Sequence, residues 1–248
     1  MWAQVELLLQ MDWSPQQISG RLRVEQGISV SHEYIYQYTY ADKRSGGELY
    51  RHLRCQKKRR KRYGSYDRRG RIANQVSIDE RPEIVEERSR VGDWEGDCVI
   101  GKNHKGALVT LVERKSLYTI IDAVARRTAA AVRGAIVNGL MAHKGKLHTL
   151  TYDNGKEMAG HEQITEELGI KVYFAHPYSS WERGVNENTN GLIRQYFPKD
   201  RELTGVTREE VEQAMERLNH RPRKTLGFRT PYEVFFSTHT HLTVALGS

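Results

Sequence analysis

Three acidic side chains of this 248-residue chain have the types and positions needed for metal-assisted phosphoryl transfer. Asp97 lies in a short apolar segment, Asp153 follows a second one, and Glu187 comes 34 positions later (187 − 153 = 34). Carboxylate oxygens are the ligands that Mg²⁺ prefers, and two ions about 3.5–4 Å apart can hold both oxygens of an in-line displacement. Two carboxylates ~4 Å apart repel by about 4 kcal/mol at an effective dielectric near 20, so such a cluster favours bound cations.

Neighbouring acids compete with these three. Taken singly, each of the three is more often a surface residue, a turn residue or a solvated helix residue. Asp153-Asn154-Gly155 by itself is a common turn signal. The competing acids are Glu95, Glu157 and Glu182. Glu95 and Asp97 share one face of the predicted strand, so periodicity cannot separate them.

The elements that must position these acids follow from the hydrophobic pattern. The predicted strands are 94–100, 107–112, 118–124, 147–152 and 170–175. The predicted helices begin near Thr128, Gly160, Val185, Thr207 and Thr230. The order of three strands, helix, strand, helix, strand and further helices matches a ribonuclease-H-like α/β domain with a mixed five-stranded sheet and flanking helices. Its active site collects acids from the first strand, the fourth strand and a later helix.

The first 55 residues predict short helices. Ser14, Pro15 and Gln17 form a capping-box start, and Ser31 caps another helix after a Gly27-Ile28 turn. Two short helices around such a turn indicate a helix-turn-helix, in which the second helix enters the major groove of DNA. The positions expected to face that groove are Ser31, His32, Glu33 and Gln37. The alternative is a small helical bundle used for dimerisation.

A dense basic strip follows this region. Residues 51–71 contain eleven Lys or Arg and one acid, so this strip alone has a charge of about +10. The net charge of the whole chain is +8, so the remainder of the chain is slightly acidic. Its centre is Lys57, Lys58, Arg59, Arg60, Lys61 and Arg62. We interpret 56–81 as an interdomain linker whose missing counter-charge is supplied by DNA phosphates. The alternative is a solvated tail. The predicted domains are thus 1–55, 56–81 and 82–248.

Composition excludes several classes of protein. Hydrophobic residues make up 38% and charged residues 28% of the chain, a globular rather than a disordered or membrane profile. No apolar segment approaches the ~20 residues that a membrane span needs, and the N-terminus lacks the order of a signal peptide. Cys55 and Cys98 form no CxxC pair, so a structural zinc is not expected. We expect a cytoplasmic protein, associated with the nucleoid when bound to DNA.

Several motifs resemble one family of bacterial enzymes. The blocks 92–97 (GDWEGD), 153–157 (DNGKE) and 177–188 (PYSSWERGVNEN) resemble the three signature blocks of DDE transposases of the insertion-sequence-thirty family. Residues 190–199 and 221–231 resemble the continuation of its third block and its C-terminal signature. Residues 13–18 and 31–36 are similar to its internal helix-turn-helix. The resemblance covers nearly the whole chain.

This resemblance implies roles for individual residues. Asp97, Asp153 and Glu187 would be the catalytic, metal-binding triad for two Mg²⁺ (or Mn²⁺) ions, and Arg183 and Arg194 would lie near DNA. The implied reaction is cleavage of double-stranded DNA at transposon ends and transfer of the strand into target DNA, by a homodimer or higher oligomer. The alternatives are a nuclease that cuts without joining and a DNA-binding regulator without catalysis.

Two departures from the family pattern affect these expectations. The family usually has His where this chain has Asp93, four residues before Asp97, which predicts an altered contact near the first acid. Members also usually carry a further N-terminal helix-turn-helix, for which there is no room before Trp2. We therefore interpret the chain as a short member or a fragment, with a catalytic domain that holds all three acids.

Overall fold

A computed structural model describes residues 1–54, 72–177 and 179–238. The six residues at the centre of the basic strip lie outside these ranges. The helices are α1 (Trp2–Gln10), α2 (Pro15–Gln26), α3 (His32–Arg44), α4 (Ile84–Glu87), α5 (Ala129–Met141), α6 (His161–Leu168), α7 (Gly184–Ile193), α8 (Arg208–Asn219) and α9 (Pro231–Phe236). The strands are β1 (Asp93–Ile100), β2 (Ala107–Glu113), β3 (Thr119–Val124), β4 (Thr149–Tyr152) and β5 (Lys171–Phe174). The described residues divide into two compact units, 1–54 with 219–238 and 72–218.

The first unit has a core formed by its N-terminal helices. The buried members of this core are Val5, Leu8, Leu9, Trp13, Ile18, Leu22, Val30, Ile35 and Leu53. The capping box of Ser14 and Gln17 begins α2, and Gly27 ends it with a left-handed φ of 65°, a conformation that glycine adopts without strain. The Ser31 hydroxyl accepts a hydrogen bond from the Tyr34 amide and so begins α3. Helices α2 and α3 are therefore joined by a short turn, as the sequence predicts.

The C-terminal segment belongs to this same unit. The Arg21 guanidinium on α2 forms a bidentate pair with Glu233 on α9, at 2.8 and 2.6 Å. Gly20 faces the Phe228 ring so closely that an added Cβ would lie 2.1 Å from it. The sequence predicts one domain over 82–248, whereas residues 219–238 group with the N-terminal helices. No local pattern signals contacts between residues more than 200 positions apart.

The buried Arg21–Glu233 pair gives a stability prediction. Their side chains are 3% and 0% exposed, so Arg21→Met would leave the Glu233 carboxylate buried without its bidentate partner. We expect the free energy of unfolding of this unit to fall by about 3–5 kcal/mol. Chemical denaturation of the full chain measures this loss. Arg51→Met is the control, because the Arg51–Glu48 pair is 60% and 66% exposed and should contribute less than about 1 kcal/mol. Equal losses for the two variants would contradict the prediction.

The second unit is built on a mixed five-stranded sheet, in the order β3-β2-β1-β4-β5. The pairs β1–β2 and β2–β3 are antiparallel, and β1–β4 and β4–β5 are parallel. The predicted fold class is confirmed, and each predicted strand is present within a few residues of its expected bounds. Residues assigned to the linker extend this unit, since the Phe174 amide donates to the Val76 carbonyl at the edge of the sheet.

Helices cover both faces of this sheet. On one face, Val99 and Leu108 join a core with Leu192 of α7 and Val211 and Leu218 of α8. On the other face, α5 packs so closely that a Cβ on Gly139 would lie 3.1 Å from Ile120 and 3.5 Å from Leu111. The strand β1 lies at the centre of the sheet, so polar groups on the α7 face of β1 are held between a rigid strand and a packed helix.

Candidate active site

Asp97 and Asp153 are neighbours where β4 ends. In the parallel β1–β4 pair Glu95 lies opposite Thr151, so two residues further on Asp97 comes beside Asp153. Their side chains remain 29% and 33% exposed, although the strands that carry them are central to the sheet. Asp97 lies within β1 and Asp153 immediately follows β4, as the sequence predicts, and the structure brings these two acids together.

Each of these carboxylates is oriented by polar groups around it. The Cys98 amide donates to Asp97 Oδ1 at 2.8 Å, and the Asn190 side-chain amide on α7 donates to Asp97 Oδ2 at 2.9 Å. The Gly155 amide donates to Asp153 Oδ1 at 3.0 Å. These bonds hold one oxygen of Asp153 and both of Asp97 in defined positions, which pre-organises the pair.

The Arg183 side chain lies between the two carboxylates. The Arg183 guanidinium has one nitrogen 3.7 Å from Asp97 Oδ2 and another 3.7 Å from Asp153 Oδ2. Burial raises the pKa of Asp97 to about 6; Arg183 opposes this rise and Asp153 adds to it. The two acids therefore face one position where a positive charge is stabilised.

Glu95, the competitor of Asp97 on the same strand face, has a different environment. Its side chain is fully buried, and Oε1 accepts a hydrogen bond from Arg114 at 2.6 Å. Oε2 accepts from the Asn186 backbone amide in the first turn of α7 at 3.0 Å. The Asn186 side chain also donates to the Glu95 carbonyl at 3.0 Å. Oε2 of Glu95 thus holds the first turn of α7 against β1, while Oε1 is occupied by Arg114. Both oxygens have partners, which separates Glu95 from Asp97.

Glu187 is exposed in the first turn of α7 and is not grouped with the aspartate pair. Within residues 1–54, 72–177 and 179–238, no three His, Cys, Asp or Glu side chains are close enough together to hold a metal ion. The two other competing acids have partners of their own. Glu157 pairs with Arg127 at 2.9 Å, and Glu182 binds His176 through its backbone amide and its ring, at 2.8 and 2.9 Å.

His176 contacts both Glu182, in the segment before α7, and Asp79, which lies near the edge of the sheet. Its Nδ1 lies 2.9 Å from Glu182 and its Nε2 lies 3.0 Å from Asp79. Hydrogen bonds that the His176 ring donates to these two carboxylates raise the pKa of His176, the bond to Glu182 more strongly than the bond to Asp79. Glu182 therefore positions the loop that carries Arg183.

Asp93, for which the resemblance predicts an altered contact, is buried at the start of β1. It pairs with Arg90 at 2.8 and 3.0 Å and accepts a hydrogen bond from the Thr149 hydroxyl at 2.8 Å. Asp93 therefore connects β1 to β4 at the beginning of both strands, away from Asp97.

The residues expected to contact DNA differ in their surroundings. Ser31, His32, Glu33 and Gln37 are all exposed on α3. Arg194, in contrast, donates to the Ile100 and Phe197 carbonyls at 2.8 and 3.3 Å. Arg183 faces the aspartate pair. Three exposed tyrosines that the sequence reasoning missed, Tyr34, Tyr36 and Tyr40, also lie on α3.

The sequence analysis also missed the roles of two of the three asparagines of α7, Asn186 and Asn190. Asn186 and Asn190 accept hydrogen bonds from the Thr110 hydroxyl at 3.3 and 3.1 Å, and both also contact β1. The signal was their spacing, because residues four apart lie on one helix face. The two amides point at the strand that carries Glu95 and Asp97.

The chain is similar to several known proteins. A family model described as integrase core domain matches residues 88–180. The transposase for insertion sequence element IS4351 of Bacteroides fragilis is 48% identical over 97% of this chain and 74% of its own length. Transposase InsI for insertion sequence element IS30A of Escherichia coli (strain K12) is 42% identical over 91% of this chain and 62% of its own length.

A solved structure of the catalytic core domain of BIV integrase is similar to 58% of this chain and 93% of its own, with a TM-score of 0.45 and 22% identity. None of the helices among the described residues is long and apolar enough to cross a membrane.

The identity and coverage of the transposase relatives establish the family that the motifs indicate. The chain belongs to the insertion-sequence-thirty (IS30) family of DDE transposases.

Proposed function

We propose that Asp97, Asp153 and Glu187 hold two divalent ions, Mg²⁺ or Mn²⁺, and that this site cuts transposon ends and joins them to target DNA. The observation that carries the proposal is the convergence of Asp97 and Asp153 on one cationic position. Carboxylate oxygens suit Mg²⁺, so the residues present fit the metal that the family uses. When bound, the ions supply Lewis-acid stabilisation of the attacking and leaving oxygens.

Neighbouring side chains position the proposed metal ligands. Asn190 orients the Asp97 carboxylate, and Glu95 anchors the α7 turn that carries Glu187. Glu187 is the third ligand in this proposal, so its side chain turns inward when the site is loaded.

The proposed reaction has two displacements at phosphorus. In the first, a water oxygen attacks the phosphodiester at the transposon end, the bond to the 3′-oxygen breaks, and that oxygen leaves as a hydroxyl. In the second, this 3′-hydroxyl attacks a target phosphodiester, bonds to its phosphorus and expels the target strand's own 3′-oxygen. Neither step requires a covalent bond between the protein and DNA.

For DNA binding we propose that α2 and α3 act as a helix-turn-helix. The exposed Ser31, His32, Glu33 and Gln37 would then face bases in the major groove. Of these, Gln37 can pair with adenine, and each good bidentate contact discriminates by about 1–3 kcal/mol. Arg183 and Arg194 are proposed to lie near DNA, and a homodimer or higher oligomer would hold two transposon ends.

Incubation of the full chain with labelled transposon ends, target DNA and Mg²⁺ or Mn²⁺ tests this function. We expect both nicked ends and joined products, and no products with Ca²⁺, whose looser coordination suits in-line geometry less well. Nicks without joining would identify a nuclease. Binding without either product would identify a regulator.

The basic strip gives a prediction about DNA affinity. If six to ten of its charges meet phosphates, a plot of log affinity against log salt should have a slope of roughly −5 to −9. Neutralising Arg59, Arg60, Lys61 and Arg62 should flatten this slope and weaken all DNA sequences alike. A control removes four exposed charges from other segments: Lys144, Lys171, Arg208 and Lys224. An unchanged slope in the strip variant, or a loss confined to one DNA sequence, would contradict phosphate binding by the strip.

A further inference from the structure

We propose that the Arg183 guanidinium is a built-in counter-ion that competes with divalent metal for Asp97 and Asp153, so that metal loading requires this side chain to leave. The inference rests on the proposed metal site. It adds a residue of this chain that sets the metal affinity of the site.

The position of Arg183 is the first reason. Its two terminal nitrogens divide between the two carboxylates, each at 3.7 Å, and its side chain is only 12% exposed. One nitrogen also donates to the Gly96 carbonyl at 3.3 Å. The guanidinium therefore occupies the position where a cation bridging the two acids would lie, and the two cannot be there together.

The length of these contacts is the second reason. Arginines that serve a structural role in this chain make short, bidentate or buried bonds, such as Arg21 with Glu233 at 2.6 Å and Arg114 with Glu95 at 2.6 Å. Arg183 lies beyond hydrogen-bond distance of both aspartates, and its Nε has no hydrogen-bond partner among the described residues. It neutralises the pair by charge while forming few specific bonds, so its displacement loses little hydrogen bonding.

The place of Arg183 in the chain is the third reason. It immediately precedes α7, four residues before Glu187, which is exposed in the first turn of that helix. One short segment thus carries both the cation that leaves and the carboxylate that is proposed to arrive. Exchange of Arg183 for metal and inward rotation of Glu187 would therefore occur together.

Titration of the DNA-free full chain with Mn²⁺, with free Mn²⁺ measured by electron paramagnetic resonance, tests the competition. We expect Arg183→Gln to bind Mn²⁺ about fivefold or more tightly than the unchanged chain, which is the lower range of coupling between two binding events. Arg201→Gln removes one positive charge from the same unit, where Arg201 pairs with Glu210, and should change the affinity less than about twofold. Equal or weaker binding by Arg183→Gln would overturn the inference.

A double variant distinguishes this failure from a failure of the proposed function. Asp97→Asn with Asp153→Asn should lose the Mn²⁺ site; if it does not, the metal site itself is misplaced.

Thermal unfolding provides a second measurement. Arg183→Gln should unfold at a lower temperature than the unchanged chain in EDTA and should gain more from Mn²⁺. If Arg183→Gln does not fold, Arg183→Lys tests the inference instead, because the point charge of a lysine ammonium bridges two carboxylates less well than a guanidinium. Tighter Mn²⁺ binding by Arg183→Lys supports competition, and equal or weaker binding contradicts it.

Discussion

Replacing Asp97 by Asn, Asp153 by Asn or Glu187 by Gln is expected to reduce strand cleavage by about a hundredfold to a thousandfold or more, with DNA binding largely unchanged. Each change removes a charged oxygen ligand while keeping the shape of the side chain. Loss of one pre-organised electrostatic group typically costs about this much in rate. Cleavage of labelled transposon ends in Mg²⁺, with binding measured on the same DNA in Ca²⁺, gives both quantities.

Matched controls for these three variants come from the competing acids. Glu157→Gln and Glu182→Gln make the same chemical change at residues that pair with Arg127 and His176. We expect each to reduce cleavage less than about tenfold, the effect of 1.36 kcal/mol on a barrier. Full cleavage by Glu187→Gln together with loss of cleavage in Glu182→Gln would move the third ligand to Glu182.

The second large effect concerns stability and separates the two acids of β1. Glu95→Ala is expected to lower the free energy of unfolding of the catalytic unit by about 3–5 kcal/mol. The reason is that Arg114, only 2% exposed, loses its fully buried partner, and the Asn186 amide loses its acceptor. The loss should lie near the lower end because Arg114 also pairs with Glu86 at 2.9 Å.

Asp97→Ala, in contrast, should change the free energy of unfolding very little. Asp97 is partly exposed and lies close to the like charges of Asp153 and Glu157, so removing it relieves repulsion and should leave stability within about 1 kcal/mol of the unchanged chain. Urea denaturation of both variants in EDTA measures the difference. A loss for Asp97→Ala as large as that for Glu95→Ala would contradict the separate roles given to the two residues.

The sheet could be predicted from sequence because its signals are local. Segments rich in Val, Ile, Leu and Thr, such as 107–112, are bounded by turns that contain glycine or lysine, and helices α5 and α9 begin at the capping residues Thr128 and Thr230. The adjacency of Asp97 and Asp153 then follows from a parallel β1–β4 pair. The positions of the strands and helices along the chain needed no knowledge of distant contacts, whereas this adjacency rests on the pairing of two strands more than 50 positions apart.

What the sequence could not show depends on contacts between distant segments. Glu95 and Asp97 have the same strand face and the same charge, and only the position of Arg114 and α7 distinguishes them. The grouping of residues 219–238 with the N-terminal helices depends on the Arg21–Glu233 pair. The position of Arg183 between two acids likewise depends on how the loop before α7 folds back.

The central claim is that Asp97, Asp153 and Glu187 form one metal site, and anomalous diffraction from crystals of the full chain with Mn²⁺ and a transposon-end duplex tests it most directly. We expect two manganese peaks about 3.5–4 Å apart, bound by Asp97 and Asp153, with Glu187 turned inward and the Arg183 guanidinium displaced. Manganese bound only at other residues, with Arg183 still between Asp97 and Asp153, would contradict the proposed site.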